Sequence, residues 1–234
     1  MNKTGFTLAE TLITLAIIGV VAAMTVPSLI QKYKERVTVT AVKHAYSLFS
    51  QAIKMVTVDY PDLDDLIDLS KTDKENAQTL FEEFSKHIKK LRSCDVDTDC
   101  MPDTYLLLSG ESLSRSWDNY STVVTGVLAN GTSFWLLHAY CEDLTTCTSL
   151  QIGIDINGRK SPNKMGVDFF WFGGDRYGNL TAGRNPNSDV PAGTYQNCSI
   201  NNYYSKSLNG YGCAEWIIRY GNMDYLKRDI SQSE

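Results

Sequence analysis

The first part of the chain is apolar over a stretch long enough to cross a membrane. Glu10 is the only ionisable residue between positions 6 and 30. A helix of about 20 apolar residues spans a hydrocarbon core of about 30 Å. The pattern therefore predicts a transmembrane helix. Its polar residues Thr7, Glu10, Thr11 and Thr14 are spaced three and four apart, so they share one side of that helix.

Helical periodicity continues beyond this stretch. Apolar residues recur at intervals of three and four at Val42, Ala45, Tyr46, Phe49, Ala52, Ile53 and Val56. We predict one long helix over residues 6–58, with an apolar first half and an amphipathic second half. Pro27 removes a helical hydrogen bond and is expected to kink or locally open that helix. A second helix is predicted over residues 73–92, where Thr72 and Glu75 form a capping-box pattern.

The rest of the chain has the shorter apolar runs of β-strands. Strands are predicted over residues 122–129, 132–138, 150–156 and 167–172. The pair Asn130 and Gly131 between the first two is a strong hairpin signal. Long loops are expected from Gly173 to about Gly212, and residues 214–220 form a last strand or helix. The predicted fold class is α+β, with the long N-terminal helix packed on an antiparallel sheet that buries one face against it.

Six cysteines lie in the C-terminal two-thirds of the chain. Six cysteines allow 15 connectivities. Local pairing is the simplest, and it would join Cys94 to Cys100, Cys141 to Cys147 and Cys198 to Cys213. A zinc site is the competing interpretation, but it would require shorter cysteine spacing or nearby histidines. Disulfides are favoured and imply an oxidising compartment outside the cytoplasm.

The apolar N-terminal segment has three interpretations. It resembles a secretory signal peptide, with Lys3 before the apolar run and small residues at 21–23 preceding Met24. The second interpretation is a plain single-span anchor. In the third interpretation Gly5 is a cleavage site, Phe6 becomes the new N-terminus, and Glu10 lies about one helical turn from a free amine. An acid in hydrocarbon costs roughly 2.5 to 3.5 kcal/mol, so Glu10 needs a cationic partner that the segment itself lacks.

The third interpretation explains most of the pattern. Gly5, Phe6, Thr7, Leu8, Glu10 and Pro27 stand where type IV pilins and type II secretion pseudopilins place them. The segment from Lys3 to about Ile30 closely resembles the prepilin-type cleavage and methylation segment of that family. The resemblance implies that a prepilin peptidase cuts between Gly5 and Phe6 and methylates the Phe6 amine. It further implies that Glu10 pairs with the Phe6 amine of a neighbouring subunit during assembly.

The resemblance also implies an organisation and a location. Residues 1–5 would be the leader, residues 6–30 the transmembrane and assembly helix, and residues 31–234 an extracytoplasmic pilin-like domain with a disulfide-tied, loop-rich C-terminal region. The expected location is the inner membrane, with a single span, before assembly into a periplasmic or surface filament. The expected partners are prepilin peptidase, other pilin or pseudopilin subunits, the inner-membrane assembly platform and the membrane itself.

Charge and motifs restrict the remaining chemistry. The net charge of −5 argues against nucleic-acid binding through overall charge. The sequence contains no recognisable catalytic motif, so we expect no enzyme activity and no cofactor. Asp155, Asn157 and Asp168 are weak calcium candidates because an Asp-x-Asn-Gly run can begin a calcium loop, although the full loop pattern fails here. A solvated turn is the favoured interpretation of these three residues.

Three functions remain. The leading hypothesis is a structural subunit of a type II secretion pseudopilus or a type IV pilus-like filament. The alternative is a minor pilin or adhesin whose C-terminal half binds a ligand. The many late aromatic residues would suit such a surface, but residues of this kind are more often core. A secreted enzyme behind a signal peptide would need a catalytic group of residues that the sequence does not show.

Overall fold

The computed structural model describes residues 7–89, 92–94, 99–113, 121–138, 150–183, 195–201 and 206–230. The chain divides into two compact units, Met1–Val37 and Thr38–Glu234. The first unit is helical throughout its described part. The second contains the remaining helices and all the described strands.

Helix α1 spans Leu8–Asp59 and closely matches the long helix predicted from the sequence. It remains helical at Pro27. In the first unit its apolar side chains are exposed, as at Leu12 and Ile17, which are both 59% accessible. This part of the helix buries nothing against its own unit, so its apolar surface is left for other surroundings.

The second half of α1 is amphipathic, as its periodicity predicted. Its buried residues are Val42, Ala45, Phe49, Ala52, Ile53 and Val56. Phe49 stacks on Phe84 with ring centroids 5.3 Å apart and meets Phe134 of the sheet edge-on at 5.1 Å. Burial of such aromatic side chains makes this face the main attachment of the helix to the sheet.

Helix α2 spans Asp73–Ser85 and begins with the predicted capping box between Thr72 and Glu75. It ends earlier than the predicted residue 92. The chain turns after Ser85 and then forms strand β1, Arg92–Cys94, which pairs with a strand of the sheet. Pairing with the sheet therefore overrides the helical pattern at the end of this segment.

The four predicted strands are present as β4 (Val124–Val127), β5 (Ser133–His138), β6 (Leu150–Asp155) and β7 (Phe169–Gly174). With β1 and a further strand, β8 (Leu180–Ala182), they form an antiparallel sheet of six described strands in the order β1-β4-β5-β6-β7-β8. The hairpin at Asn130 is confirmed, and Gly131 has the positive φ of 86° that such a turn favours.

The sequence did not predict every strand. Strand β8 (Leu180–Ala182) lies in the region expected to be loops, and β2 (Tyr105–Leu106) with β3 (Ser112–Leu113) forms a separate two-stranded ribbon. These strands have two or three residues each, too few for an alternating pattern to stand out in the sequence. The final run is helix α3, Cys213–Tyr220, which resolves its strand-or-helix ambiguity.

Both faces of the sheet are buried, whereas the prediction from the sequence was a sheet with one face buried against the long helix. Phe134 and Leu136 of β5 belong to the core beneath α1 and α2. Trp135, between them, belongs to a second core on the opposite face, with Trp171 and Tyr211. A strand buried on both faces loses the alternation of apolar and polar residues, which explains the continuous apolar runs in β5 and β7. The α+β fold class is confirmed.

Candidate functional site

Glu10 lies in the first turn of α1, where its carboxylate caps the helix. It accepts hydrogen bonds from the backbone N–H of Thr7 at 2.8 Å and from the Thr7 hydroxyl at 2.9 Å. The Thr7 hydroxyl in turn accepts from the Glu10 N–H at 3.2 Å. This reciprocal arrangement is a capping box. The donors are neutral, so they orient the carboxylate without cancelling its charge.

The other hydroxyls of this segment are satisfied by its own backbone. Thr11 donates to the Thr7 carbonyl at 3.0 Å and Thr14 donates to the Thr11 carbonyl at 2.9 Å. Thr25 and Ser28 make the same kind of bond near Pro27. A hydroxyl bonded in this way avoids the cost of an unsatisfied polar group in hydrocarbon. Among the described residues of the segment, Glu10 is therefore the polar group whose charge still lacks a partner.

Helix α1 is long and apolar enough to cross a membrane, with a mean hydropathy of 2.3 over its most apolar stretch. None of that stretch is buried in the structure. A signal sequence near an N-terminus would pass the same test of length and composition. What separates the interpretations is the acid at position 10, together with the residues that precede it.

The proposed cleavage residues Gly5 and Phe6 lie outside the described residues. Their roles therefore rest on the sequence pattern. Pro27 lies inside a continuous helix, and its expected kink stays a prediction.

Two of the three predicted cysteine pairs are disulfide-bonded in the structure. Cys94 is joined to Cys100 and Cys198 to Cys213. The second bond attaches the N-terminus of α3 to residues 195–201, and both of its cysteines are fully buried. Cys141 and Cys147 lie outside the described residues, so their pairing stays a prediction.

The calcium candidates lie together, but not in the solvated turn that the sequence suggested. Asp155 is fully buried and Asp168 is 3% exposed. Asp168 accepts the backbone N–H groups of Asn163 and Lys164 at 2.9 and 2.6 Å, and the Asn157 side-chain amide at 3.3 Å. Through these bonds the Asp168 carboxylate stabilises the loop that precedes it.

Asp155 is the more unusual of the two acids. It accepts hydrogen bonds from the Tyr105 hydroxyl at 3.0 Å and the Asn157 N–H at 3.2 Å. Burial, reinforced by the charge of Asp168, raises the pKa of Asp155 to about 8. Within the described ranges, no group of three or more His, Cys, Asp or Glu side chains is placed to hold a metal ion.

Most of the late aromatic residues that the structure describes lie in the core, whereas Tyr177 is 53% exposed. Phe169, Phe170, Phe172 and Trp216 are at most 1% exposed, and Tyr211 is 3% exposed. Trp171 lies 4.4 Å from Trp135 between ring centroids, in an edge-to-face contact. These buried rings therefore belong to the core packing that the sequence analysis favoured for them, and the adhesin alternative stays a prediction.

Sequence reasoning missed a buried polar cluster next to strand β5. His138 is fully buried, and its Nε2 lies 3.9 Å from Asp64 in the turn after α1. Arg176 pairs with Asp62 and lies 3.3 Å from Asp64. An isolated histidine at the end of a strand gives no signal in the sequence. The other members of this cluster, Arg176 and Asp64, are about 40 and 75 positions away from it.

Comparison with known proteins places these features in a family. A model described as a family of unknown function (DUF6613) matches residues 28–174, more than half of the chain. The chain belongs to this family. A second model, described as the prokaryotic N-terminal methylation motif, matches residues 1–26. No curated protein and no solved structure matches the chain.

The two matches divide the chain between two kinds of information. The family match covers most of the folded part of the chain, but the description of that family indicates no activity. The methylation motif indicates a prepilin signal of the kind carried by type IV pilins and pseudopilins. The chain is thus a pilin-like protein with a long apolar N-terminal helix, and the motif implies processing by a prepilin peptidase and assembly with other pilins.

Proposed function

We propose that this chain is a structural subunit of a type II secretion pseudopilus or a type IV pilus-like filament. Prepilin peptidase would cleave it between Gly5 and Phe6 and methylate the Phe6 amine. The observation that carries the proposal is the match of residues 1–26 to the prokaryotic N-terminal methylation motif. The subunit would be anchored in the inner membrane before assembly, with residues 31–234 outside the cytoplasm, and would then enter the filament.

The geometry of the N-terminal segment supports this function. A long apolar helix whose side chains remain exposed can be surrounded by lipid first and by identical helices later. The carboxylate of Glu10 is costly in lipid, and pairing with a cation offsets that cost. The Phe6 amine of a neighbouring subunit would supply that cation, because the described residues of the segment before Lys32 include no basic side chain.

The disulfides support an extracytoplasmic position for the second unit. Bonds such as Cys198–Cys213 form and persist in oxidising compartments and are rare in the cytoplasm. Lys32, Lys34 and Arg36, which follow the apolar segment, would favour the opposite orientation by the positive-inside rule. We give the disulfides and the methylation motif more weight than this charge bias.

The experiment that tests the proposal is mass spectrometry of the mature N-terminus, on native protein from membranes and from sheared surface material. A chain beginning at N-methylated Phe6 is expected. A chain beginning at Met24 would show an ordinary secreted protein and would overturn the proposal. A chain retaining Met1 in a strain with an active prepilin peptidase would overturn it as well.

A further inference from the structure

An open groove of about 550 Å³ lies at one end of the sheet. It is bounded by the start of β1, the β4–β5 turn and the turn after β6. Its lining includes Arg92, Asp99, Val127, Asn130, Ile156 and Lys160. All of these residues belong to the second compact unit.

The described lining of the groove is positively charged, although the chain as a whole is negative. Its described lining has three cations, Arg92, Arg159 and Lys160, against one acid, Asp99. Arg159 lies 2.7 Å from Asp99 and 3.8 Å from Asp103, so part of its charge is already matched. Arg92 and Lys160 are exposed. The groove therefore suits an acidic occupant.

The chain itself contains an acidic segment, residues 59–68, with no lysine or arginine. Its acids are Asp59, Asp62, Asp64, Asp65 and Asp68. Asp62 and Asp64 form ion pairs with Arg176. The other three acids, Asp59, Asp65 and Asp68, are exposed. The flanking apolar residues Val58 and Leu69 are 71% and 76% exposed. Lys71 and Lys54 are the cations nearest to this segment in the sequence, and Lys54 donates a hydrogen bond to Asn179 at 2.8 Å.

Strand β5 separates the two surfaces. Ser133, at its first position, lines the groove, and His138, at its last, lies beside Asp64. Five steps along a strand at about 3.3 Å each place these ends roughly 17 Å apart. A subunit therefore does not fill its own groove with its own acidic segment.

A contact between two different surfaces of identical chains is heterologous, and its repetition produces an open filament when the rotation does not close a ring. The apolar parts also correspond, since Val127 and Ile156 line the groove while Val58 and Leu69 flank the acids. Opposite charges on the two surfaces would steer subunits together and fix their register.

We propose that the groove between Arg92 and Lys160 binds the acidic segment around Asp65 of a second copy of this chain. This inference rests on the proposed filament function and names the contact between globular units within it. It assigns partner recognition to the second unit, separately from the pairing of Glu10 in the first.

Reciprocal charge reversal in the full-length chain tests this contact in the bacterium that assembles it. The variants are Lys160→Glu, Asp65→Lys and the two combined, with Lys89→Glu as a control of equal charge change at an exposed position outside both surfaces. Each single reversal should lower the yield of sheared filaments about tenfold, because like charges then face each other. The combined reversal should restore most of that yield, and Lys89→Glu should leave it unchanged.

A second readout identifies the contact directly. Carbodiimide joins a lysine to a carboxylate only where the two touch, so wild-type filaments should yield a peptide linking Lys160 to the 59–68 segment. Normal filaments from Lys160→Glu, or a combined variant that stays defective, would overturn the inference while leaving the filament function standing. Wild-type cells that process the chain but assemble no filament would overturn both.

Discussion

The imidazole of His138 lies 3.9 Å from the carboxylate of Asp64, and both groups are almost completely inaccessible to solvent. Neither makes a hydrogen bond within the part of the chain that the structure describes. Burial lowers the pKa of His138 to about 4, against a smaller opposing effect of Asp62, and burial raises the pKa of Asp64. Arg176 forms ion pairs with Asp62 and Asp64 of this turn.

Acid should therefore destabilise the protein through His138. The unfolded pKa is 6.5 and the folded pKa about 4. The stabilising contribution is complete above pH 6.5 and is lost as the pH falls through 4. Between pH 7.5 and 4.5 the wild type should lose about 2 to 3 kcal/mol more unfolding free energy than His138→Gln. Urea unfolding of the detergent-solubilised chain, followed by tryptophan fluorescence, measures this. Equal losses in the two proteins would contradict it.

Asp155 should give a pH dependence of the opposite sign. Its pKa rises from 3.8 unfolded to about 8 folded, so its contribution is present below 3.8 and is lost as the pH rises through 8. From pH 5 to 9, Asp155→Asn should gain on the order of 4 kcal/mol of unfolding free energy relative to wild type. Asp103→Asn, at an exposed carboxyl, is the control. The same urea titration applies, and a constant difference between Asp155→Asn and wild type would refute the assignment.

Local patterns in the sequence carried most of the helical architecture. The spacing from Val42 to Val56 identified the buried face of α1, and the capping box at Thr72 fixed the start of α2. Both signals are local: the capping box lies within about one helical turn, and the Val42–Val56 spacing repeats with the period of a single helix over about four turns. The hairpin at Asn130 is equally local, since Gly131 adopts the conformation that the turn requires.

Contacts between distant parts of the chain could not be predicted in this way. Trp135 packs on Trp171, and Asp62 pairs with Arg176, across separations for which the sequence has no periodic signal. The second buried face of the sheet depends on such contacts, and so does the burial of Asp155. For the candidate site the reverse holds. Glu10 stood out because an acid in an apolar run is conspicuous, whereas the groove near Lys160 forms only where β1 and two turns that are distant in the sequence meet.

The Cys198–Cys213 disulfide should matter more for stability than the Cys94–Cys100 disulfide. Cys198–Cys213 closes a loop with a sequence separation of 15, and Cys94–Cys100 one of 6. Loop-closure entropy predicts losses of about 3 and about 2 kcal/mol on replacing each pair by alanine. Loss of the first pair also leaves a small cavity in the core, which adds to its cost. Urea midpoints of the two double variants test the order, and a larger loss at Cys94 and Cys100 would contradict it.

Gly178 should be intolerant of any side chain. Its φ is +69°, and an added Cβ would lie 2.6 Å from Thr57 Cγ2 and 3.0 Å from Ile53 Cγ2 of α1. Gly178→Ala should destabilise the fold by about 2 to 4 kcal/mol, from backbone strain together with overpacking. Gly110 has a positive φ of 95° but open space around it, so Gly110→Ala isolates the strain alone at about 1 to 2 kcal/mol. Equal effects of the two substitutions on the urea midpoint would show that the close contact is unimportant.

Filament assembly should depend on the charge of Glu10 rather than on its capping bonds to Thr7. Glu10→Ala removes both the charge and the bonds, whereas Glu10→Gln keeps an acceptor for the Thr7 N–H and hydroxyl. Both variants should insert into the membrane normally, since an uncharged residue relieves roughly 2.5 kcal/mol of insertion cost. Both should fail to assemble, because the amine of the neighbouring subunit then meets no carboxylate. Membrane extraction and shearing of filaments measure the two steps separately. If Glu10→Gln assembled normally while Glu10→Ala did not, the capping box would be the functional feature and the charge pairing would be wrong.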